Sequence, residues 1–313
     1  MDVTPRAGAA PSAGTGDGDE AVEEIIIDPS SEEVDFNHSR ITEIQGLEVL
    51  QNIRVLGFRN NLIKKIENLN SLTTLVELEL YDNQITKIEN LDSLVNLEVL
   101  DLSFNRLSVI ENLSSLRKLK KLYFVNNRIS KIENLEALTD LRLLELGANR
   151  IRVIENLETL TNLTELYVGK NKISKLQGLE NLVNLETLSA QSNRLTCIEG
   201  LDNCLKLKGL YLSHNGIEEL QNLQNNRDLR TLDCAANKIK RLTGVSHLKE
   251  LTEFWFNHNL IEDWHEVETL SEFPKLDTVY LEGNPIARDP SYRRKIMLIA
   301  PVVNQIDATL CRS

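Results

Sequence analysis

Asparagine recurs ten times at a fixed interval of 22 residues, at Asn61, Asn83, Asn105, Asn127, Asn149, Asn171, Asn193, Asn215, Asn237 and Asn259. A constant period over most of a chain admits few folds, because each short unit cannot bury its own apolar side and must stack on its neighbours. The apolar residues keep the same period, as in Leu78, Leu80, Ile85, Ile88, Leu91 and Leu94. Alternation in Glu77-Leu78-Glu79-Leu80-Tyr81 predicts a short strand with Leu78 and Leu80 inward and Glu77, Glu79 and Tyr81 outward. After the strand the chain must turn. An amide that both donates and accepts can satisfy backbone groups the turn leaves unpaired. The asparagines are therefore expected to form an internal structural ladder with no chemistry of their own.

This is the leucine-rich-repeat pattern, and it predicts an α/β leucine-rich-repeat solenoid. The expected architecture is a parallel concave sheet of about 12 strands, short helical turns of the tight type on the convex side, and a C-terminal cap helix. Val34, Phe36, Ser39, Ile41 and Ile44 make a first repeat with Ser in the ladder position, and Val279, Leu281, Asn284 and Ile286 make the last. Neighbouring strands about 4.8 Å apart give an inner surface roughly 50 Å long, suited to a globular partner. At the far end Asp289 is placed to cap a helix, Pro290 suits its first turn, and Ile296, Met297 and Ile299 are expected to cover the final strand. The boundaries read as an acidic leader over 1–33, the repeat array over 34–288 and a cap over 289–313.

The 313 residues are 41% hydrophobic, with no apolar run approaching the length of a membrane span. No basic flank followed by an apolar stretch opens the chain, so an intracellular protein is expected. Cys197, Cys204, Cys234 and Cys311 lack metal-ligand spacing and read as reduced, mostly structural thiols. Residues 1–35 hold ten acids against Arg6 alone, which accounts for most of the formal charge of −12. The Gly-, Ala-, Ser- and Pro-rich stretch over 7–18 predicts disorder to about residue 20, with Ile25 to Ile27 beginning an N-terminal cap. Arg293, Arg294 and Lys295 read as a solvated helix face.

The middle column of the strands is expected to face the concave side: Gly57, Glu79, Asp101, Tyr123, Glu145, Tyr167, Ser189, Tyr211, Asp233, Trp255 and Tyr280. The chain has six Tyr and two Trp, and four of those Tyr and one Trp fall in this column. Core packing does not explain that placement, whereas exposed Tyr and Trp supply contact area and a polar handle at interfaces. Gly147, Gly169 and Ala235 leave space beside Glu145, Tyr167 and Asp233. With Glu253 next to Trp255, the column suits a partner that presents Arg or Lys over apolar surface.

An acidic face repels phosphate, so nucleic-acid binding by this surface is not expected. His38, His214, His247, His258 and His265 belong to no nucleophile, base and orienter set, and no phosphate loop or zinc motif is present. The chain is expected to be no enzyme and to need no cofactor, metal or membrane.

The recurring Ile-Glu-Asn-Leu (66–69, 88–91, 110–113, 132–135, 154–157), Glu-Phe-Trp (253–255), Asp-Pro-Ser-Tyr-Arg-Arg-Lys-Ile-Met-Leu (289–298) and Asn-Gln-Ile-Asp-Ala-Thr (304–309) resemble the regulatory subunit 7 family of protein phosphatase 1. The resemblance covers about residues 34–313. It implies a nuclear and cytoplasmic, non-enzymatic protein, a monomer by itself, that binds the phosphatase catalytic subunit and controls its maturation, activity or targeting, with room for a third regulatory protein. It also implies that Asp101, Tyr123, Glu145, Tyr167, Asp233, Glu253, Trp255 and Tyr280 bind the partner. Positions 123 and 167 hold Phe in the family and Tyr here. Related short-repeat adaptors of splicing, axonemal dynein and tubulin assembly share the architecture and are the alternative.

Overall fold

The computed structural model describes residues 27–311, which fall into two compact units divided between Asn149 and Arg150. The disorder expected near residues 1–20, and Ile25 and Ile26 of the expected N-terminal cap, lie outside the described residues. In the first unit the strands are β1 (Glu33–Asp35), β2 (Val55–Gly57), β3 (Glu77–Glu79), β4 (Val99–Asp101), β5 (Lys121–Tyr123) and β6 (Leu143–Glu145), each parallel to the next. The second unit begins with β7 (Glu165–Tyr167), β8 (Thr187–Ser189), β9 (Gly209–Tyr211), β10 (Thr231–Asp233), β11 (Glu253–Trp255) and β12 (Thr278–Tyr280), also parallel.

Register follows the period. Leu56 stands opposite Leu78 and Leu78 opposite Leu100, so β2, β3 and β4 place their central Leu at the same register position. Those leucines are fully buried, as are Leu80, Ile85, Ile88, Leu91 and Leu94 of the same turn. Each such side chain contributes about 1.5–3 kcal/mol when removed from water.

The asparagine ladder forms as the spacing predicts. Asn105 accepts from the Ile85 N–H at 2.9 Å and donates through Nδ2 to the Leu80, Leu102 and Ser103 carbonyls at 2.9, 3.1 and 3.1 Å. One side chain thereby serves two successive turns. Asn284 does the same in the last repeat, with bonds to Ile261, Phe256 and Leu281. At the start of the array the Ser39 and Ile41 N–H groups donate to Asn61.

A second row of asparagines was hidden inside Ile-Glu-Asn-Leu. Asn68, Asn90, Asn112 and Asn134 adopt φ of 59°, 60°, 58° and 59°, and each donates to the carbonyl of an Ile in the preceding turn at 2.6–2.7 Å. Gly178, Gly200 and Gly244 occupy the equivalent place in later turns, also at positive φ. This left-handed residue redirects the chain toward the outer segment. That segment contains two successive single turns, Leu72 N–H to Leu69 and Leu75 N–H to Leu72, rather than helices. The expected tight helical turns thus shorten to one hydrogen bond each, because the bends on either side leave no residues to extend them.

Helices occur only toward the end of the described chain. α1 (Trp264–Val267) runs into a 3₁₀ turn over Glu268–Glu272, and α2 (Tyr292–Ile299) follows another over Pro285–Arg288. Three expectations are corrected here. Asp289 does not cap α2: Ser291 is its N-cap residue, without a side-chain bond, and Asp289 Oδ1 instead accepts from the Ser291 N–H at 2.8 Å. Met297 is exposed, and Tyr292 together with Ile296 supplies the buried side of α2. Arg293 and Lys295 are not a solvated face. Arg293 donates to the carbonyls of Ile306, Thr309 and Leu310, while Lys295 pairs with Asp289 at 2.6 Å and lies 4.7 Å from the Trp264 ring centroid.

The sheet also runs past the twelfth strand. β13 (Gln305–Ile306) adds in parallel to β12, and β14 (Thr309–Leu310) turns back antiparallel onto β13. The reversal is fixed by Asp307 at φ 51°, whose Oδ1 accepts from the Leu281 and Glu282 N–H groups and whose carboxylate takes the Tyr292 hydroxyl. Burial beside this carboxylate pushes the Tyr292 phenol far above its usual range.

Candidate protein-binding face

Most of the predicted column is accessible on the strands of both units, each member beside a fully buried strand residue, while Gly57, Ser189 and Asp233 are buried. In the first unit Glu79, Asp101, Tyr123 and Glu145 are half-buried. Glu79 is paired with Arg59. Asp101 accepts the Ser103 N–H at 2.9 Å. Glu145 accepts the Gly147 N–H at 2.8 Å, which holds its carboxyl in place. Burial pushes that carboxyl up to about 7, against the opposing pull of the Gly147 bond. A cation arriving beside it would restore its charge.

In the second unit Tyr167 is half-buried and its hydroxyl donates to Glu165 Oε2 at 2.7 Å. The hydroxyl that distinguishes this position from Phe therefore already has a partner. Asp233 is the least accessible acid of the column, only 4% exposed, because the Ala235 N–H and Gln191 Nε2 both donate to it at 3.0 Å. Beside it opens a hollow whose lining includes Ala235, Ser213, His214 and Trp255. Trp255 is 38% exposed, and its ring lies 5.1 Å from that of Tyr280, tilted by 35°. Gln305 Nε2 donates to the Tyr280 hydroxyl at 2.8 Å, so β13 orients the last ring of the column. Glu253 is half-buried at the start of β11.

Sequence reasoning missed Gln191, Glu165 and Gln305, which hold Asp233, Tyr167 and Tyr280. Gln191 was within reach: it lies between inward Ala190 and the ladder Asn193, two residues beyond Ser189 and on the same outward side. All four cysteines are free thiols, and burial pushes Cys204 up to about 11 and Cys234 well above its usual range. Among the described residues no cluster of His, Cys, Asp and Glu could hold a metal, and no helix is long and apolar enough to cross a membrane.

A family model described as leucine-rich repeats in two copies matches residues 51–93, 73–118, 95–137, 139–181, 161–203 and 183–225, and a second leucine-rich-repeat model matches 206–309. The chain belongs to the leucine-rich-repeat family. Within that family it is similar to protein phosphatase 1 regulatory subunit 7 of Xenopus tropicalis, with 58% identity over 59 residues, a stretch that spans 19% of this chain and 17% of that protein. The human protein of the same name matches at 58% over 47 residues, 15% of this chain and 13% of its own length. These short matches agree with the family resemblance read from the sequence. Among solved structures, an internalin of Listeria monocytogenes superimposes with a TM-score of 0.72 at 23% identity, over 93% of this chain and 92% of the internalin, a likeness of fold alone.

Proposed function

We propose that this leucine-rich-repeat protein is a non-catalytic regulatory subunit that binds the catalytic subunit of protein phosphatase 1 and controls its maturation, activity or targeting, in the nucleus and cytoplasm. The observation that carries this reading is the sheet column itself, in which Trp255 and Tyr280 present ring surface next to the acid Glu253, with Asp233 buried beside them. Such a surface suits a partner with Arg or Lys set among apolar residues, where aromatic anchors supply most of the binding energy. The relatives named for phosphatase regulation support the choice of partner. Metal ions and bond-breaking chemistry would then belong to the phosphatase.

Affinity purification of the chain from cell extract tests the reading. Recovery of the phosphatase catalytic subunit in stoichiometric amount is the expected result. Recovery of spliceosomal, dynein or tubulin-assembly proteins without the phosphatase would overturn it. Turnover of a phosphorylated peptide by the isolated chain would contradict the non-catalytic role.

A further inference from the structure

Just past the sheet column, three successive turns of the second unit carry a second row of charge, of the opposite sign. Residues 150–153, 169–175 and 191–197 include Arg150, Arg152, Lys170, Lys172, Lys175 and Arg194, and no Asp or Glu, in a chain of 47 acids and 35 bases. Ile151, Ile173 and Leu195 are fully buried, so the residues on either side of each turn outward. The Lys172 N–H donates to Ile151 and the Arg194 N–H to Ile173, both at 2.8 Å, which locks Arg150, Lys172 and Arg194 into one line. Five of the six are exposed and Lys172 is half-buried.

Among the described residues only Lys175 of this group has an ion pair, to Glu199 at 3.5 Å. Three other surface lysines of the same unit are matched across turns, Lys208 with Glu186 at 2.7 Å, Lys249 with Glu272 at 3.0 Å and Lys275 with Glu250 at 2.6 Å. Like charges on facing turns repel one another, so this row is a cost to the folded chain that an anionic ligand would relieve. The three turns contain no Phe, Tyr or Trp, and so lack the stacking platforms that single-stranded nucleic acid requires. An extended peptide instead places every second side chain on one side, and its carboxylates match the fork of Arg150 and Arg194.

We infer that this row of turns binds an extended, acid-rich segment of a partner protein. The unit would then select opposite charges at two places, a basic surface on the sheet and an acidic strand along the turns. The inference does not rest on the phosphatase reading.

The full-length chain is titrated against a fluorescent polyglutamate peptide of about eight residues, by anisotropy, at about 50 and 200 mM salt. Binding is expected at the lower salt, weakened by about tenfold in the triple variant Arg150→Gln, Lys172→Gln, Arg194→Gln. The matched variant Lys208→Gln, Lys249→Gln, Lys275→Gln, with the same net charge, is expected to bind within about twofold of the parent. Equal weakening in both variants, or no binding at all, would overturn the inference. So would tighter binding of a single-stranded oligonucleotide than of the peptide. If the first variant does not melt cooperatively, amide-shift mapping on the parent chain decides: peptide-induced shifts centred on 150–153, 169–175 and 191–197 support the site, and shifts centred elsewhere refute it.

Discussion

The indole of Trp255 and the phenol ring of Tyr280 lie 5.1 Å apart on neighbouring strands β11 and β12, and the Tyr280 hydroxyl is in turn held by Gln305. The pair is thus fixed before any partner arrives, which lowers the entropy lost on binding. Trp255→Ala is expected to weaken capture of the phosphatase catalytic subunit by about 1–3 kcal/mol, since it removes an exposed aromatic anchor without touching the core. Titration calorimetry measures the loss, and an unchanged circular dichroism melt confirms the fold. Full-strength capture by a Trp255→Ala, Glu145→Ala double variant would rule out this surface.

Glu145 gives the molecule a pH dependence of definite sign. Its carboxyl is pushed from 4.5 up to about 7 in the folded chain, so between those values the native state holds the proton more tightly than the unfolded state. Stability from this group therefore falls as pH rises through that window and levels off above about 7. Glu145→Gln should flatten the dependence, as read from urea midpoints between pH 5 and 8. A cationic partner favours the ionised form, so its affinity should rise from about pH 6 to 8 in the parent chain and stay level in the Gln variant.

Loss of one ladder amide should be felt in two turns at once. Asn105→Ala leaves the Ile85 N–H and the carbonyls of Leu80, Leu102 and Ser103 without this partner in a buried setting. A destabilisation of about 2–4 kcal/mol is expected. Chemical denaturation gives the magnitude, and a loss below about 1 kcal/mol would show that water replaces the amide.

Two bends respond to substitution in opposite directions. At Gly244, φ is 90° and an added Cβ would sit 2.5 Å from the Leu220 carbonyl oxygen, so Gly244→Ala should cost about 1–3 kcal/mol. Ala236 also has positive φ, 52°, but already carries a Cβ. Ala236→Gly should therefore be close to neutral or stabilise slightly, as relief of left-handed strain offsets the added chain entropy. Differential scanning calorimetry of the two variants checks both signs.

The sequence made the strands and the ladder legible because each repeats a physical demand: Leu78 and Leu80 must face inward, and Asn83 must satisfy the turn that follows. The second asparagine row was less visible. Asn68 and Asn90 read as part of a family signature, although Gly at the equivalent 178, 200 and 244 already pointed to a left-handed bend. The outward placement of Trp255, Tyr280 and Glu145 follows from alternation alone. The column's internal partners do not, because Gln191 reaches Asp233 across 42 residues and no local pattern encodes a contact two turns away. The end of the array was least legible. Gln305–Ile306 is too short to show a period, and the carbonyls that Arg293 serves become apparent only once β13 and β14 are paired.

The two asparagine rows have a consequence for how such a chain can change over time. Backbone position in each turn is set by amides at fixed places, and none of those amides belongs to the outward strand column. Neighbouring column sites therefore offer nearly identical mountings, and at an exposed one such as Trp255 one side chain can be exchanged for another with little penalty to the scaffold. Selectivity for a new target can accordingly drift site by site while the frame that displays it is conserved by its own separate chemistry.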